Sequence, residues 1–236
     1  MANVLVNDAS LADIADAIRE KNGTEETYKP AEMGDAVRAI ESGGGDSETI
    51  LKQFIERETL EEFIIPSGVK HIGHSAFRGW LNLKNIVFNE EIEGIYNGGL
   101  SFLRMTQTEL PNSIKILADA ALQGAEFKNK LLKLPNSLET IGNQCFQYCL
   151  GVNIKEIPQA VTTIGKQAFQ NCAELTELTF KGTPTSIANN AFQTCNNLLD
   201  IYVPWAEGAV SSAPWGATNA TIHYNTVYDE NHEPIV

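Results

Sequence analysis

Three segments of the sequence superimpose on one another without gaps: IGNQCFQYC (141–149), IGKQAFQNC (164–172) and IANNAFQTC (187–195). A fourth segment, IGHSAFRGW (72–80), follows the same pattern with Trp80 in the last place. Two degenerate copies, IYNGGLSFL (95–103) and LADAALQGA (117–125), fill the interval. The first residues of these copies, at positions 72, 95, 117, 141, 164 and 187, are the anchors of the pattern. They recur at a nearly constant interval of about 23 positions, and this period predicts a repeat architecture.

Each copy carries two further apolar elements. A Pro-x-x-Val/Ile/Leu step precedes the anchor, as from Pro158 to Val161. An alternating apolar stretch follows it, as in Leu175, Leu178 and Phe180, and predicts a short strand with one buried face. The segment between anchor and aromatic residue predicts a turn followed by a short bend or helical piece. The phenylalanines that we expect to point inward are Phe77, Phe146, Phe169 and Phe192.

A single copy of the repeat is too small to bury its own apolar side. Stacking the copies places Ile on Ile, Phe on Phe and Leu on Leu, and so forms one continuous core. With strands about 4.8 Å apart, the six copies would form a stack roughly 25 Å long. The two ends of such a stack expose core and sheet edge, so the sequence should also encode caps.

The pattern IP-x-x-V-x-x-I-G-x-x-A-F-x-x-C-x-x-L-x-x-L-x-F, clearest at 157–180, resembles the BspA-type leucine-rich repeat. The resemblance covers about residues 58–203. It implies an α+β repeat solenoid, a right-handed leucine-rich-repeat coil of about six turns, each of roughly 22–24 residues, with a parallel β-sheet on one side. Copies two and three depart from the pattern, with Gly99-Leu100 and Ala121-Leu122 in place of Ala-Phe, so their local geometry should differ.

The front of the chain predicts a helical attachment module. Residues 9–21 predict an amphipathic helix, and Pro30 begins a second one, so residues 1–42 form a small α-helical hairpin. A glycine-rich linker (43–46) and an N-terminal cap (47–65) follow, the cap containing a third helix over 46–57 and a strand near 59–65. The hairpin resembles a module at the start of phage and prophage tail-associated proteins of Gram-positive bacteria. This resemblance implies attachment to a particle or homo-oligomerisation.

The repeats (66–203) lead into a predicted C-terminal cap (204–225) and a loose tail (226–236). The segment IYVPWAEGAVSSAPWGATNATIHYN (201–225) resembles a recurring C-terminal segment of the same phage-associated proteins. We interpret Trp205 and Trp215 as aromatic residues that fill the cap. Residues 206–213 predict a helical turn over the last coil, and residues 221–224 predict a closing strand.

Composition and motifs favour binding over catalysis. The formal net charge of −13 argues against a nucleic-acid partner. Residues 1–65 carry −9 of this charge and residues 66–236 only −4. The four cysteines follow the repeat, so we interpret them as stacked, buried thiols, and we predict no metal and no cofactor. No nucleophile elbow, phosphate loop or metalloprotease motif is present, so we predict no catalytic residues.

The predicted function is a non-enzymatic binding or adhesion module, associated with a phage or prophage tail. The alternatives are a bacterial cell-surface adhesion protein and a cytoplasmic protein–protein interaction scaffold; a hydrolase hidden in the caps ranks last. The partner would be a protein or a cell-surface glycan, with no membrane insertion. Because the N-terminus lacks the features of a signal peptide, we expect synthesis in the cytoplasm, followed by virion association or release on lysis, or else cytoplasmic residence. The candidate partner-binding residues, which face outward on the predicted strands, are Asn85, Val87, Glu177, Thr179, Asp200 and Tyr202.

Overall fold

The anchor residues of the repeat lie on the short strands of one long parallel sheet. The computed structural model describes residues 3–5, 59–78, 80–106, 109–127, 132–149, 151–229 and 234–235. The strands of this sheet, in spatial order, are β1 (Asn3–Leu5), β3 (Val69–Ile72), β5 (Gly94–Ile95), β7 (Ile116–Leu117), β9 (Thr140–Ile141), β11 (Thr163–Ile164) and β13 (Ser186–Ile187). Every neighbouring pair is parallel, and from β3 onward each pair joins consecutive copies of the repeat. The predicted stacking of coils in register is therefore confirmed.

The alternating apolar stretches form a second wall, which is interrupted. Its strands are β2 (Glu62–Ile64), β4 (Asn85–Val87), β6 (Arg104–Met105), β8 (Glu126–Phe127), β10 (Glu156–Ile157), β12 (Glu177–Phe180), β14 (Asp200–Tyr202) and β15 (Thr221–His223). They pair in three separate parallel groups, β2–β4, β6–β8 and β10–β12–β14–β15. The interruptions lie on either side of the β6–β8 pair, whose strands follow copies two and three, the copies whose sequence departs from the pattern. The continuous sheet thus runs through the anchors, whereas the alternating stretches form shorter sheets.

The segment between the two walls is an arc of turns, and the described residues contain no α-helix. Its backbone N–H groups alternate between two kinds of partner. Leu122 donates to the carbonyl of Cys145 in the next coil (2.9 Å), whereas Gln123 donates to Ala120 in its own coil (3.0 Å). A helix needs consecutive bonds to the residue four positions back, so this alternation excludes one. The predicted turn is therefore right, and of the two alternatives predicted to follow it, a short bend or a helical piece, the helical one is wrong.

The core is a set of side-chain ladders that run along the stack. Phe146, Phe169 and Phe192 stack nearly parallel, with 5.1 Å between successive ring centroids. All four cysteines are buried free thiols, as the repeat predicted. Three of them donate a hydrogen bond to a backbone carbonyl of the preceding coil at 2.9–3.0 Å: Cys149, Cys172 and Cys195. Along the arc, Gln123, Gln147, Gln170 and Gln193 form a ladder of side-chain amide hydrogen bonds, in which Gln147 is buried.

The stack has about seven turns, one more than the sequence predicted. The additional turn follows the sixth copy, over positions 204–223, and adds strand β15 to the second wall but no strand to the long sheet, whose seventh strand is β1. Trp215 follows Phe192 at the same interval at which Phe192 follows Phe169. Trp215 is fully buried, and its carbonyl accepts a backbone hydrogen bond from Phe192 at 2.9 Å, as carbonyls of the next coil do for the earlier phenylalanines. Its indole N–H donates to the carbonyl of Ser211 at 2.8 Å, and Trp205 packs beside it.

The two elements predicted for this last turn have different outcomes. Residues 206–213 form turns and bends where a helical turn was predicted, so that prediction is wrong. Strand β15 is the predicted closing strand, and it pairs with β14.

The C-terminal residues fold back onto the last coils. Strands β16 (Val227–Tyr228) and β17 (Pro234–Ile235) pair in antiparallel fashion. The Tyr228 hydroxyl donates to the carbonyl of Phe180 at 2.7 Å. Residues 226–229, predicted as part of a loose tail, are therefore anchored, because an aromatic side chain finds both a packing surface and a hydrogen-bond acceptor.

The two helices of the predicted N-terminal hairpin and the predicted third helix lie outside the described residues, whereas residues 3–5, within the predicted hairpin segment, form strand β1. Within the described ranges, no helix is long and apolar enough to cross a membrane.

Candidate recognition surface

The outward side chains of β12, β14 and β15 form one contiguous surface. Alternation along these strands buries Leu178 and Ile201 and turns Glu177, Asp200 and Tyr202 to the outside. The register places Glu177 beside Asp200, and Tyr202 beside His223 of β15. We call Glu177, Asp200, Tyr202 and His223 the C-terminal sheet face.

Two close contacts order this face. The His223 Nε2 atom lies 2.8 Å from the Asp200 Oδ1 atom, and the Tyr202 and His223 rings stack with centroids 4.5 Å apart and planes 14° apart. Each of these side chains is thus held by a neighbour on the next strand. An ordered side chain loses little conformational entropy when a partner binds, so binding at this face would have a small ordering cost.

The charge on this face is mixed, with acidic groups prominent. The Lys155 Nζ atom lies 3.2 Å from Glu177 Oε1, so part of the carboxylate charge is compensated. Burial, followed by the nearby Asp200 and Glu177 carboxylates, raises the pKa of the Tyr202 hydroxyl. Tyr202 therefore stays a neutral hydrogen-bond donor at physiological pH, beside carboxylate acceptors.

A second cluster borders the face on the side of β10. The Lys181 Nζ atom lies 3.0 Å from Glu156 Oε1 and 4.7 Å from the centroid of the Tyr228 ring. Burial and the nearby Glu156 raise the pKa of Tyr228 to about 12. These residues line a cavity of about 560 Å³ together with Lys133 and Lys155.

The structure separates the six candidate binding residues into two groups. Glu177, Asp200 and Tyr202 lie together, as predicted. Asn85 and Val87 lie on β4, which pairs with no strand other than β2 among the described residues, so the interruption of the second wall removes them from this face.

Thr179 pairs with Glu156 and Tyr202 of the neighbouring strands and so lies on the same face as they do, but it is only 7% exposed and contributes little accessible surface. The alternation of β12 continues through this residue, because Leu178 and Phe180 on either side of it belong to the core, and Thr179 is buried by its neighbours on the face.

His223 is the surface residue that the sequence reasoning missed. The closing strand was predicted, but its partner was not, because Ile222 follows its partner Ile201 at a shorter interval than the one between Leu178 and Ile201. The dipeptide Ile222-His223, aligned with Ile201-Tyr202, was the available signal.

The described residues give little support for a metal site or a nucleophilic cysteine. Among the described residues, no group of three or more His, Cys, Asp or Glu side chains could hold a metal ion. Burial raises the pKa of the Cys149 thiol to about 12 and that of the Cys195 thiol to about 11. These thiols therefore stay protonated and inaccessible, unlike a nucleophilic cysteine.

Comparison with solved structures returns bacterial leucine-rich-repeat proteins. A leucine rich cell surface protein from Faecalibacterium prausnitzii A2-165 is 17% identical, with 72% of this chain and 61% of that chain covered and a TM-score of 0.35. A leucine-rich repeat protein from Bacteroides ovatus is 18% identical, with 71% and 61% covered and a TM-score of 0.26. The leucine rich repeat protein of T. pallidum is 23% identical, with 61% and 56% covered and a TM-score of 0.33. This chain thus spans about three fifths of the length of these proteins.

No curated protein matches the sequence. The model of the BspA type leucine rich repeat region matches residues 48–129 and 125–211, with six copies. These matches cover most of the chain and coincide with the stacked coils, their anchors and their aromatic ladder. The chain belongs to the BspA-type leucine-rich-repeat family.

Proposed function

We propose that this protein is a non-enzymatic binding and adhesion module, and that the C-terminal sheet face is its recognition surface. The observation that carries the proposal is the ordered Asp200–His223–Tyr202 cluster, which presents an aromatic ring, a carboxylate and a neutral hydroxyl on adjacent strands. Aromatic residues held in place by their neighbours are typical of the residues that dominate binding energy at interfaces. The partner is a protein or a cell-surface glycan.

The proposed setting is a phage or prophage tail of a Gram-positive host. The sequence resemblances of residues 11–40 and 201–225 support this setting. The front segment would attach the protein to the particle or assemble it into oligomers, and the repeats would carry the recognition surface outward. Mass spectrometry of purified particles tests the setting, and absence of the protein from every preparation contradicts it.

Two other settings use the same surface. A cell-surface adhesion protein would be labelled on intact cells by a reagent that does not enter them. A cytoplasmic scaffold would retain one stoichiometric partner in a pull-down from host lysate. The particle experiment separates both from the tail-associated protein.

The surface itself is tested by binding of the fluorescently labelled full chain to intact Gram-positive cells. We expect Tyr202→Ala to weaken binding at least about tenfold, the effect of losing a well-ordered interface aromatic. Asn85→Ala is the matched control, since Asn85 occupies an outward strand position away from the C-terminal sheet face. Equal binding by the Tyr202→Ala variant and the unmodified chain, or no binding of either, would refute the assignment.

A further inference from the structure

Neither the backbone conformation at position 102 nor the burial of its side chain explains why a phenylalanine stands there. The seventh residue after the anchor has a positive φ in successive coils: Phe102 (59°), Gly124 (67°), Tyr148 (58°), Asn171 (59°) and Thr194 (61°). A bulky side chain is disfavoured in this conformation. Phe102 is also 72% exposed, so its ring gains little from the core. A phenylalanine here adds nothing to folding that a glycine or asparagine would not provide.

The ring of Phe102 is nevertheless held in place. A Cβ atom added to Gly124 of the next coil would lie 2.5 Å from the ring atoms Cδ1 and Cε1. One edge of the ring therefore packs against Gly124, and a side chain at that position would displace the ring. The result is a solvent-exposed aromatic group in contact with the next coil, which is uncommon for a residue without a partner.

The ring lines an open cavity of about 900 Å³ in the arc. Leu81, 85% exposed, supplies a second apolar group. The remaining lining is mostly polar, and its members with hydrogen-bonding side chains include His74, Arg78, Arg104 and Gln123. A concave site with isolated apolar groups among hydrogen-bonding side chains suits a small polar ligand better than an apolar peptide helix.

The lining of this cavity carries both positive and negative charge. Glu126 lies 3.1 Å from Arg104 and is paired, whereas Asp119 accepts hydrogen bonds from the backbone and side chain of Asn143, at 2.8 and 3.1 Å, and keeps its negative charge. The Arg78 side chain, in contrast, has no hydrogen-bond or ion-pair partner within the described part of the chain. A permanent cation is therefore left available beside an exposed ring, in a protein whose net charge is −13.

We infer that this cavity binds an anionic saccharide, with a sugar ring packed on Phe102 and its acidic group on Arg78. The C–H groups of a pyranose form an apolar face that packs on an aromatic ring, and its hydroxyls need the polar neighbours that the cavity supplies. A guanidinium binds a carboxylate or a phosphate through two parallel hydrogen bonds. The site is separate from the C-terminal sheet face, so the two assignments can be tested independently and the failure of one does not contradict the other.

Isothermal titration calorimetry of the full chain tests this inference with three probes: methyl β-D-glucuronide, glucose 6-phosphate and neutral methyl β-D-glucoside. We expect saturable binding of at least one acidic probe, at least tenfold tighter than that of the neutral one. Comparison of the two acidic probes distinguishes a carboxylate from a phosphate ligand. Binding of neither acidic probe, or equal binding of all three, would overturn the inference.

Variants locate the site. Phe102→Ala and Arg78→Gln should each weaken binding of the acidic probe at least tenfold. Tyr148→Ala is the matched control, because Tyr148 has the same backbone conformation and is 51% exposed but does not line the cavity. Circular dichroism verifies the fold of each variant. Unchanged binding in both Phe102→Ala and Arg78→Gln, or a stronger response to an acidic peptide than to any sugar, would also refute the site.

Discussion

Replacing Phe169 by alanine tests the stacking of the coils most directly. Phe169 is fully buried, and its ring lies between those of Phe146 and Phe192, at 5.1 Å from each and within 9° of parallel. The substitution removes the middle ring of the ladder and leaves a cavity that the neighbouring coils can close only by losing their register.

The expected loss is about 4–5 kcal/mol in the free energy of unfolding. A buried Phe→Ala substitution costs about 3–5 kcal/mol, and an aromatic pair adds about 0.5–1.5 kcal/mol beyond the area it buries. The upper part of the Phe→Ala range applies because both faces of the ring are in contact. Domains of ordinary stability have only about 5–15 kcal/mol to lose, so the variant should be close to unfolding.

Urea denaturation followed by circular dichroism measures this loss. Phe102→Ala is the matched control, since it makes the same chemical change at a ring that is 72% exposed, and should cost less than about 1 kcal/mol. A loss below about 2 kcal/mol for Phe169→Ala, or equal losses for the two variants, would refute the stacked core.

Three further predictions concern the thiols, a glycine and the cap. Burial raises the pKa of Cys149 to about 12 and of Cys195 to about 11, above the usual 9.0. The thiols of the unfolded chain therefore lose their protons at lower pH than those of the folded protein. The free energy of unfolding should fall above about pH 9 by up to about 1.4 kcal/mol per pH unit and thiol. Urea titrations between pH 8 and 10 measure this slope, which Cys149→Ala should reduce. Gly165→Ala places a Cβ 2.6 Å from the backbone nitrogen of Asn143, so the variant should lose about 1–3 kcal/mol and melt at a lower temperature, and an unchanged melting curve would contradict the close approach. Trp215→Ala should cost about 3–5 kcal/mol, because the indole is fully buried over the last copy of the repeat, and equilibrium denaturation with an unchanged midpoint would show that the seventh turn is dispensable.

The stacked core could be predicted from the sequence because its residues recur at one interval. Ile, Phe and Cys at 164, 169 and 172 repeat those at 141, 146 and 149. Because equivalent positions stack in consecutive coils, each of these side chains packs against the same residue type in the neighbouring coil. The same reasoning did not predict the seventh turn. Trp215 keeps the interval of the phenylalanine ladder, but the residues around it do not match the pattern, and only tertiary contact defines its place in the stack.

The local geometry of the arc could not be predicted from propensity. A segment such as KQAFQ (166–170) contains good helix formers, yet Gln167 has a φ of 55° and alternate N–H groups bond to the next coil. Those partners are distant in the sequence and come into reach only once the coils stack, so tertiary structure overrides the local preference.

For the proposed recognition surface, the sequence predicted which side chains of a strand face outward, but not which strands lie in the same sheet. Alternation correctly turned Glu177, Asp200 and Tyr202 outward, because period two holds along any strand with one buried face. It failed for Asn85 and Val87, since it does not reveal where a sheet is interrupted, and for His223, since the spacing changes at the last turn.

The constant spacing of the phenylalanine ladder means that the length of the stack changes in equal steps with the number of repeat copies. Successive phenylalanine rings lie 5.1 Å apart and nearly parallel, so each complete copy of the repeat lengthens the stack by about 5 Å. Gain or loss of one whole copy would therefore move everything beyond it by about 5 Å along the stack while keeping every ladder in register. The distance between the arc cavity at Phe102 and the sheet face at Tyr202 is thus adjustable in discrete steps. A repeat protein of this kind can fit a new spacing on its target by changing its copy number, with no change to either binding surface.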